Sequence, residues 1–124
     1  MEKVREHYRP DVVVLQCGAD SLSGDRLGTH NTTVKAHGSC VRLIKSWGLP
    51  TLLLGGGGYT IKNVARCWTY ETGLAVNANH LDNNIPVNDY YDFYGPDFQL
   101  HYNSGDETSM NTKEYLDFVK TRCL

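Results

Sequence analysis

Residues 51–68 read TLLLGGGGYTIKNVARCW. The leucine run predicts a short buried strand, and the four glycines that follow predict a tight turn. The next segment, from about Ile61 to Val76, predicts a helix. We expect its inward stripe to contain the residues that recur at helical spacing: Ile61, Val64, Ala65, Trp68, Thr72 and Ala75. Because glycine runs cost backbone entropy, they indicate a backbone that approaches another group closely or takes positive φ.

A second strand and another helix are predicted upstream of this stretch. Residues 11–17 read DVVVLQC, an apolar run that predicts a strand buried on both faces. The glycine-rich, polar segment after it predicts a loop. Residues 34–47 then predict a helix, with Thr32 or Thr33 as its N-terminal cap and Gly48 in a left-handed conformation after its end. The order strand, helix, strand predicts a βαβ unit with parallel strands, and therefore an α/β fold.

A parallel sheet is normally covered on both faces and paired at both edges. The sequence predicts only two strands, so we expect this chain to form part of a larger sheet. The apolar residues 12–14 and 52–54 would otherwise be exposed. We therefore expect the isolated chain to aggregate or to remain molten.

The last third of the chain contains no clear strand, although further strands there are the alternative to a larger sheet. Residues 85–105 are irregular and aromatic, and we expect them to wrap over the core. Asn111 and Glu114 predict a capping box for a final helix. Tyr115, Phe118 and Val119 are expected to face inward from that helix.

Composition limits the class of protein. The chain has 124 residues, 40% hydrophobic and 21% charged, which is typical of one globular domain. The net charge is −2 and no basic stripe occurs, so we expect no direct nucleic-acid binding. No run approaches the roughly 20 apolar residues of a membrane span, and the charged first residues predict no secretory signal. The four cysteines lack metal-ribbon spacing, which predicts free thiols in a reducing compartment.

The candidate functional residues follow the two strands, because open α/β sheets carry function at the carboxyl ends of their strands. Asp20 and Asp25 follow the first strand, and Tyr59 ends the glycine turn after the second. Asp20 could bind a metal or orient a base, and the Tyr59 phenol could donate a hydrogen bond to an oxyanion. The residues alone leave two other interpretations open: the glycines could cradle a phosphate, and Tyr59 could serve packing.

Three motifs carry a resemblance to a known family. They are LQCGADSLSGDRLG at residues 15–28, LGGGGYTIKNVARCWTYET at 54–72 and YGPDF at 94–98. Together they resemble the class I (Rpd3-type) histone deacetylases, in order and over nearly the whole chain. The resemblance implies part of the arginase/deacetylase three-layer α/β sandwich, with a parallel sheet. It implies that residues 1–124 are the C-terminal third of the catalytic domain, incomplete on the N-terminal side.

The resemblance also implies roles for individual residues. In that family a Zn²⁺ is held by two aspartates and a histidine, and Asp20 corresponds to the second aspartate. Tyr59 corresponds to the tyrosine that stabilises the oxyanion. The other implied roles are the substrate pocket for Gly57, Gly58 and Leu27, and inositol-phosphate binding for Arg26 and Lys62. Lys62 stands where close relatives often have an arginine, and lysine lacks the bidentate fork. Asp25 matches no zinc ligand, and we expect it to structure its loop.

The sequence departs from the family pattern in its histidines. No Asp-x-His and no His-His pair occurs, so the first zinc pair and the proton-transfer histidines are missing. The isolated histidines His30 and His37 are expected to have core or surface roles. One carboxylate is too few for a catalytic zinc, which usually has three protein ligands. We therefore expect the isolated chain to be inactive.

These observations leave two main functional hypotheses. The first is zinc-dependent hydrolysis of acetyl-lysine in histones, in the nucleus and also in the cytoplasm, with acetylated histone tails and corepressor subunits as partners. The alternative is a truncated, non-catalytic paralogue that binds corepressors or inositol phosphate. A nucleotide-binding glycine loop is a weaker third hypothesis, because Asp82, the acidic residue near the required spacing, lies in a polar break rather than at a strand end.

Overall fold

The computed structural model describes residues 1–78, 80–103, 105 and 109–123. The chain forms two units, one of Met1–Pro10 with Gly105–Leu124 and one of Asp11–Ser104. Among the described residues, no helix combines the length and the apolar character that crossing a membrane would need. The helices and strands are α1 (Glu2–Tyr8), β1 (Val13–Gln16), α2 (Val34–Ser46), β2 (Thr51–Leu54), α3 (Ile61–Ala75) and α4 (Lys113–Cys123).

The larger unit contains the predicted βαβ arrangement. β1 and β2 pair in parallel, with Val13 opposite Thr51 and Gln16 opposite Leu54, and α2 lies between them in the chain. Thr33 caps α2, because its side chain accepts a hydrogen bond from the Ala36 backbone N–H at 3.1 Å. Gly48 follows the helix with φ of 68°. The α/β prediction and the limits predicted for α2 are confirmed.

One sheet face remains open within this unit. Val14 and Leu52, partners across the two strands, are 62% and 54% exposed, whereas Leu15 and Leu53 are half-buried. Leu15 and Leu53 line a small cavity together with Ile44 of α2, which places α2 on their side of the sheet. The prediction of a strand buried on both faces is therefore wrong for the described residues, because helices of this unit cover one face only.

The buried face of α3 differs from the predicted one. Ile61 is 84% exposed, and Thr72 and Ala75 are exposed as well, while Val64, Ala65 and Trp68 are half-buried. The buried residues of the helix are Asn63, Arg66, Cys67, Tyr70, Glu71 and Gly73. The apolar pattern gave the wrong face because several polar side chains of α3 find hydrogen-bond partners inside the protein, which removes most of the cost of burying them.

The core forms where α2 and α3 pack closely. It contains Ala19, Leu22, Val34, Cys67, Tyr70 and Leu100. Gly38 of α2 permits the close contact, since a Cβ atom there would lie 2.6 Å from the Tyr70 ring. A larger residue at position 38 would therefore push the two helices apart.

The aromatic segment after α3 packs as predicted. Leu100 is buried in the core, and the Tyr102 hydroxyl donates to the Ser23 carbonyl at 2.7 Å. Arg66 donates to the carbonyls of Tyr94 and Gln99, and its guanidinium pairs with Asp97 at 2.9 Å. These bonds hold the segment 94–102 against α3.

The final helix corrects two predictions. Thr112 rather than Asn111 caps α4, because its hydroxyl accepts from the Tyr115 N–H at 3.2 Å. Tyr115, Phe118 and Val119 are exposed, and none of the described residues of α4 is buried. The spacing of the apolar residues predicted an inward face for α4. The unit that contains α4 has no buried core among the residues described, so this face has nothing to pack against.

The open sheet face predicts self-association of the isolated chain. We expect it to elute above its monomer mass of 13.9 kDa and to melt without a sharp transition. The double variant Val14→Glu with Leu52→Lys places opposite charges on the exposed pair and should shift the population toward monomer. Size-exclusion chromatography with light scattering measures this, with Val87→Glu, an exposed residue outside the sheet, as control. A monomeric wild-type chain with a cooperative melt would contradict the prediction.

Candidate functional site

The two loops at the carboxyl ends of the strands lie side by side. The Cys17 N–H donates to the Leu54 carbonyl at 2.8 Å, which extends the ladder beyond β1. The Ala19 N–H then donates to the Gly57 carbonyl at 2.6 Å. The loop that contains Asp20 and the glycine turn that leads to Tyr59 are thus joined through their backbones.

Asp20 lies in a short 3₁₀ turn, Ala19–Ser21, and is half-buried. A Cβ atom on Gly57 would lie 2.1 Å from its Oδ2 atom, so the carboxylate occupies the space that a side chain at position 57 would need. No hydrogen bond to the Asp20 carboxylate is found within the described ranges. Its oxygens are therefore free to bind a cation, which fits the predicted role as a metal ligand.

Asp25 joins the two loops through a single carboxylate. Its Oδ1 accepts from the N–H groups of Leu27 and Gly28 at 2.8 and 2.9 Å, and its Oδ2 accepts from the Tyr59 N–H at 2.8 Å. These backbone hydrogen bonds hold the pKa of Asp25 below its usual 3.8, and the bond from Tyr59 has the largest effect. The prediction that Asp25 structures its loop is confirmed, and it extends to the backbone of Tyr59.

The other predicted site residues fall around this junction. Tyr59 is 47% exposed, so its phenol can reach a bound molecule. Gly58 has φ of 152°, and a Cβ atom there would lie 2.5 Å from Val64. Leu27 is exposed beside the carboxylate of Asp25. Gly57, Gly58 and Leu27, the predicted substrate-pocket residues, are therefore close in space to the groups that hold Tyr59.

The two predicted inositol-phosphate residues differ in their surroundings. Arg26 is exposed, next to Asp25 in the chain. Lys62 is half-buried, and its ammonium donates to the Gly95 carbonyl at 3.1 Å. Among the described residues, Lys62 thus uses one of its donors and has others for an anion.

A cavity of about 710 Å³ lies elsewhere in the same unit, between α3 and the segment that follows it. Its lining includes Ala65, Thr69, Ile85 and Leu100, but neither Asp20 nor Tyr59. The candidate site is thus a surface formed by two loops, and this cavity is not its substrate pocket.

A buried cluster beneath the Asp20 loop was missed in the sequence. The His37 Nδ1 atom lies 2.5 Å from the Glu71 Oε1 atom, and its Nε2 atom lies 3.0 Å from the Gly18 carbonyl. Cys67 lies close to this pair. The signal in the sequence was the i, i+4 pair Cys67 and Glu71, whose polar side chains share one face of α3 with Asn63.

The cluster of His37, Cys67 and Glu71 does not have the geometry of a zinc site. Two ligand atoms of one tetrahedral zinc are about 3.3 Å apart, given bonds of about 2.0 Å. The 2.5 Å between Nδ1 and Oε1 is a hydrogen-bond distance instead. The neighbouring Cys17 thiol stays protonated, because burial and then Glu71 raise its pKa to about 12. The cluster is therefore an ion pair lined by thiols.

Comparison with known proteins agrees with this geometry. The sequence model of the histone deacetylase domain matches residues 1–75.

The chain belongs to the histone deacetylase family.

Relatives in animals and plants support this membership. The chain is 57% identical to histone deacetylase 1 of Homo sapiens, 56% to a histone deacetylase of Drosophila melanogaster and 54% to a probable histone deacetylase of Zea mays. Each comparison covers 98% of this chain but 25%, 23% and 24% of the relative. The chain spans about a quarter of the length of the relatives it matches. The class I resemblance is confirmed, and the α/β structure with its parallel sheet is the fold expected for a histone deacetylase.

Replacing the Asp25 carboxylate should release the two loops of the histone deacetylase motif from each other. In Asp25→Asn one side-chain oxygen is lost, so either the Leu27 and Gly28 amides or the Tyr59 amide loses its acceptor. We expect at least about tenfold faster amide hydrogen exchange at Leu27, Gly28 and Tyr59, measured by mass spectrometry or NMR.

The folded state lowers the pKa of Asp25 below its unfolded value near 3.8. The ionised carboxylate therefore stabilises the fold fully above pH 3.8, and this stabilisation is lost as the pH falls through the lowered pKa.

The matched control for this experiment is Asp11→Asn, which removes an exposed carboxylate at the other end of β1. It should leave exchange in both loops unchanged. Equal protection of the Tyr59 amide in Asp25→Asn and in the wild type would contradict the role of Asp25.

The His37 ring should remain charged well above neutral pH. The neighbouring Cys67 and then the hydrogen bond to Glu71 raise the pKa of the ring to about 10, against the opposite effect of burial. The ion pair therefore stabilises the fold fully below the unfolded value near 6.5 and is lost as the pH rises through about 10. We expect Glu71→Gln to lower the pKa of His37, measured from ring ¹⁵N shifts by NMR, and Glu114→Gln to leave it unchanged. Titration of wild-type His37 near 6.5 would contradict the charged pair.

Proposed function

We propose that this chain supplies the Asp20 and Tyr59 portion of a zinc-dependent histone deacetylase site, which hydrolyses acetyl-lysine in histones and other proteins. The observation that carries the proposal is the Asp25 carboxylate, which links the loop of Asp20 to the Tyr59 backbone at 2.8 Å. Family membership and the free carboxylate of Asp20 support it.

Each residue has a distinct task in this reaction. A bound Zn²⁺ would polarise the acetyl carbonyl and activate water for attack. Asp20 contributes one negatively charged oxygen ligand to that ion. The half-exposed Tyr59 hydroxyl donates a hydrogen bond to the oxygen on which negative charge develops. Gly57 and Gly58 form the turn that lines the pocket, where their missing side chains make room for Asp20 and Val64, and Leu27 offers an apolar wall to the acyl-lysine chain.

The remaining zinc ligands and the proton-transfer histidines are proposed to come from residues beyond these 124. The sequence contains no Asp-x-His and no His-His pair, and the chain spans a quarter of its relatives. Residues 1–124 would then form the C-terminal portion of a deacetylase catalytic domain. On this proposal the isolated chain is inactive.

The proposal includes partners that match this chemistry. Acetylated histone tails are the substrates, corepressor subunits are the binding partners, and the nucleus, with the cytoplasm as a second compartment, is the location. Arg26 and Lys62 would bind an inositol phosphate beside the site, since one is exposed and the other keeps free donors. The second candidate is a non-catalytic paralogue that binds the same corepressors or inositol phosphate, and the missing Asp-x-His favours it.

The size of the endogenous polypeptide separates the two candidates. An immunoblot with an antibody against a peptide of residues 99–115 should detect a protein of at least about three times 13.9 kDa, because a complete zinc site needs further ligands. A single band at 13.9 kDa would contradict the enzyme proposal and support the non-catalytic one.

Tyr59→Phe in that polypeptide tests the chemistry directly. We expect kcat for an acetyl-lysine peptide to fall about 100-fold or more while the bound zinc is retained, because only the oxyanion donor is lost. Asp20→Asn should instead lower zinc content, measured by atomic emission. Tyr90→Phe, which changes an exposed tyrosine outside both loops, is the control. Full turnover in Tyr59→Phe would contradict the role of this tyrosine.

A further inference from the structure

We infer that His37, oriented by Glu71, is a positioning residue for Asp20, because its ring holds the Gly18 carbonyl that begins the Asp20 turn. The inference rests on the proposed function of Asp20 as a zinc ligand. It concerns two residues of α2 and α3 that touch neither the metal nor the substrate in that proposal.

Ring N–H groups from two helices anchor the backbone just before Asp20. The Trp68 Nε1 atom donates to the Cys17 carbonyl at 2.8 Å, and the His37 Nε2 atom lies 3.0 Å from the Gly18 carbonyl. On the other side, the Ala19 N–H donates to the Gly57 carbonyl. Three consecutive residues are thus held from both sides, and Asp20 follows directly.

Hydrogen-bond chemistry fixes the protons of the His37 ring. A backbone carbonyl only accepts, so the Nε2 atom that faces Gly18 carries a proton. The Nδ1 atom faces Glu71, which is 2% exposed, and a buried carboxylate needs a charged or donating partner. A ring that donates from both nitrogens satisfies Glu71 and Gly18 together, and the two opposite charges balance.

The packing of the helices holds this ring in place. Gly38, next to His37, lets α2 approach α3 so closely that His37 reaches Glu71 across the interface. Cys67 and Cys17 are buried around the pair and leave it little contact with water. Because Glu71 fixes one nitrogen, the other points at Gly18 in a defined direction.

The consequence is a fixed position for the Asp20 carboxylate. Residues 19–21 form a short 3₁₀ turn, so a rotation of the Gly18 peptide displaces the Asp20 side chain as well. Groups that orient a metal ligand typically change metal affinity or activity by about 10–100-fold when they are removed. His37 and Glu71 would therefore set zinc affinity through the backbone.

Two substitutions of His37 test this inference, His37→Gln and His37→Asn, in the full polypeptide that carries this chain. The amide nitrogen of glutamine reaches the place of Nε2 and can still donate to the Gly18 carbonyl, whereas that of asparagine reaches only the place of Nδ1. Both variants remove the charge beside Glu71 and both shrink the side chain. A merely structural role, in which Nδ1 satisfies the buried Glu71, would instead favour the asparagine variant. His30→Asn, which changes an exposed histidine, is the control.

We expect His37→Asn to weaken zinc binding by about tenfold or more, while His37→Gln retains most of the affinity. Competition with a chelating dye measures the zinc dissociation constant. Amide exchange at Ala19 and Asp20 should be at least about tenfold faster in the asparagine variant than in the glutamine variant. The exchange experiment needs no metal, so it tests the positioning role of His37 even if the wild-type polypeptide binds no zinc. The absence of zinc binding would contradict the proposed function instead.

Equal exchange at Ala19 and Asp20 in the two variants would overturn the inference. Equal zinc affinity would do so as well. If neither His37 variant folds, Glu71→Gln and Glu71→Leu provide the decision, because the glutamine amide can still hydrogen-bond to Nδ1 and orient the ring, whereas leucine cannot. We expect wild-type exchange at Ala19 and Asp20 in Glu71→Gln and at least about tenfold faster exchange there in Glu71→Leu, and equal exchange in these two variants would overturn the inference.

Discussion

The Asp25 carboxylate makes the contacts on which the candidate site depends most directly. It is a small, half-buried group, and it accepts three backbone hydrogen bonds from two separate loops. One loop contains Asp20 and the other ends at Tyr59, and the Ala19 to Gly57 bond joins them at a second point. Two side chains 39 positions apart in the chain are thereby kept on one surface. Charge-assisted bonds to backbone amides are stronger than neutral ones, which suits a junction that solvent reaches.

Helix α3 organises the site through its polar residues. Arg66 holds the segment 94–102, while Glu71 and Trp68 act on the backbone next to Asp20, the former through His37. An apolar helix face could fill the same volume but could not bind carbonyl groups in fixed directions. The buried polar face therefore combines packing with the alignment of two loops.

Much of this arrangement could be predicted from the sequence. The strands, the caps of α2 at Thr33 and Gly48, and the meeting of the Asp20 and Tyr59 loops follow from local patterns and from the rule on strand ends. The buried face of α3 could not be predicted in this way. A pattern of apolar residues does not register polar residues such as Glu71, which is buried because it finds a partner elsewhere in the chain. His37 was missed for the same reason, because its partners lie 19 and 34 positions away. The exposure of Phe118 could not be predicted either. Helical spacing shows which residues share a face of α4, but it does not show whether the unit contains a core against which that face can pack.

The close approach at Gly56 and Gly57 also limits how this segment can change in evolution. A Cβ atom at position 56 would lie 2.0 Å from the Gln16 side chain, and one at position 57 would lie 2.1 Å from Asp20. Every amino acid that a single base change in a glycine codon can produce carries a Cβ atom. Each missense change at Gly57 therefore meets the Asp20 carboxylate itself, and a tolerated change there would require the carboxylate to move. The Gly57 codon is thus closed to gradual substitution while Asp20 keeps its position.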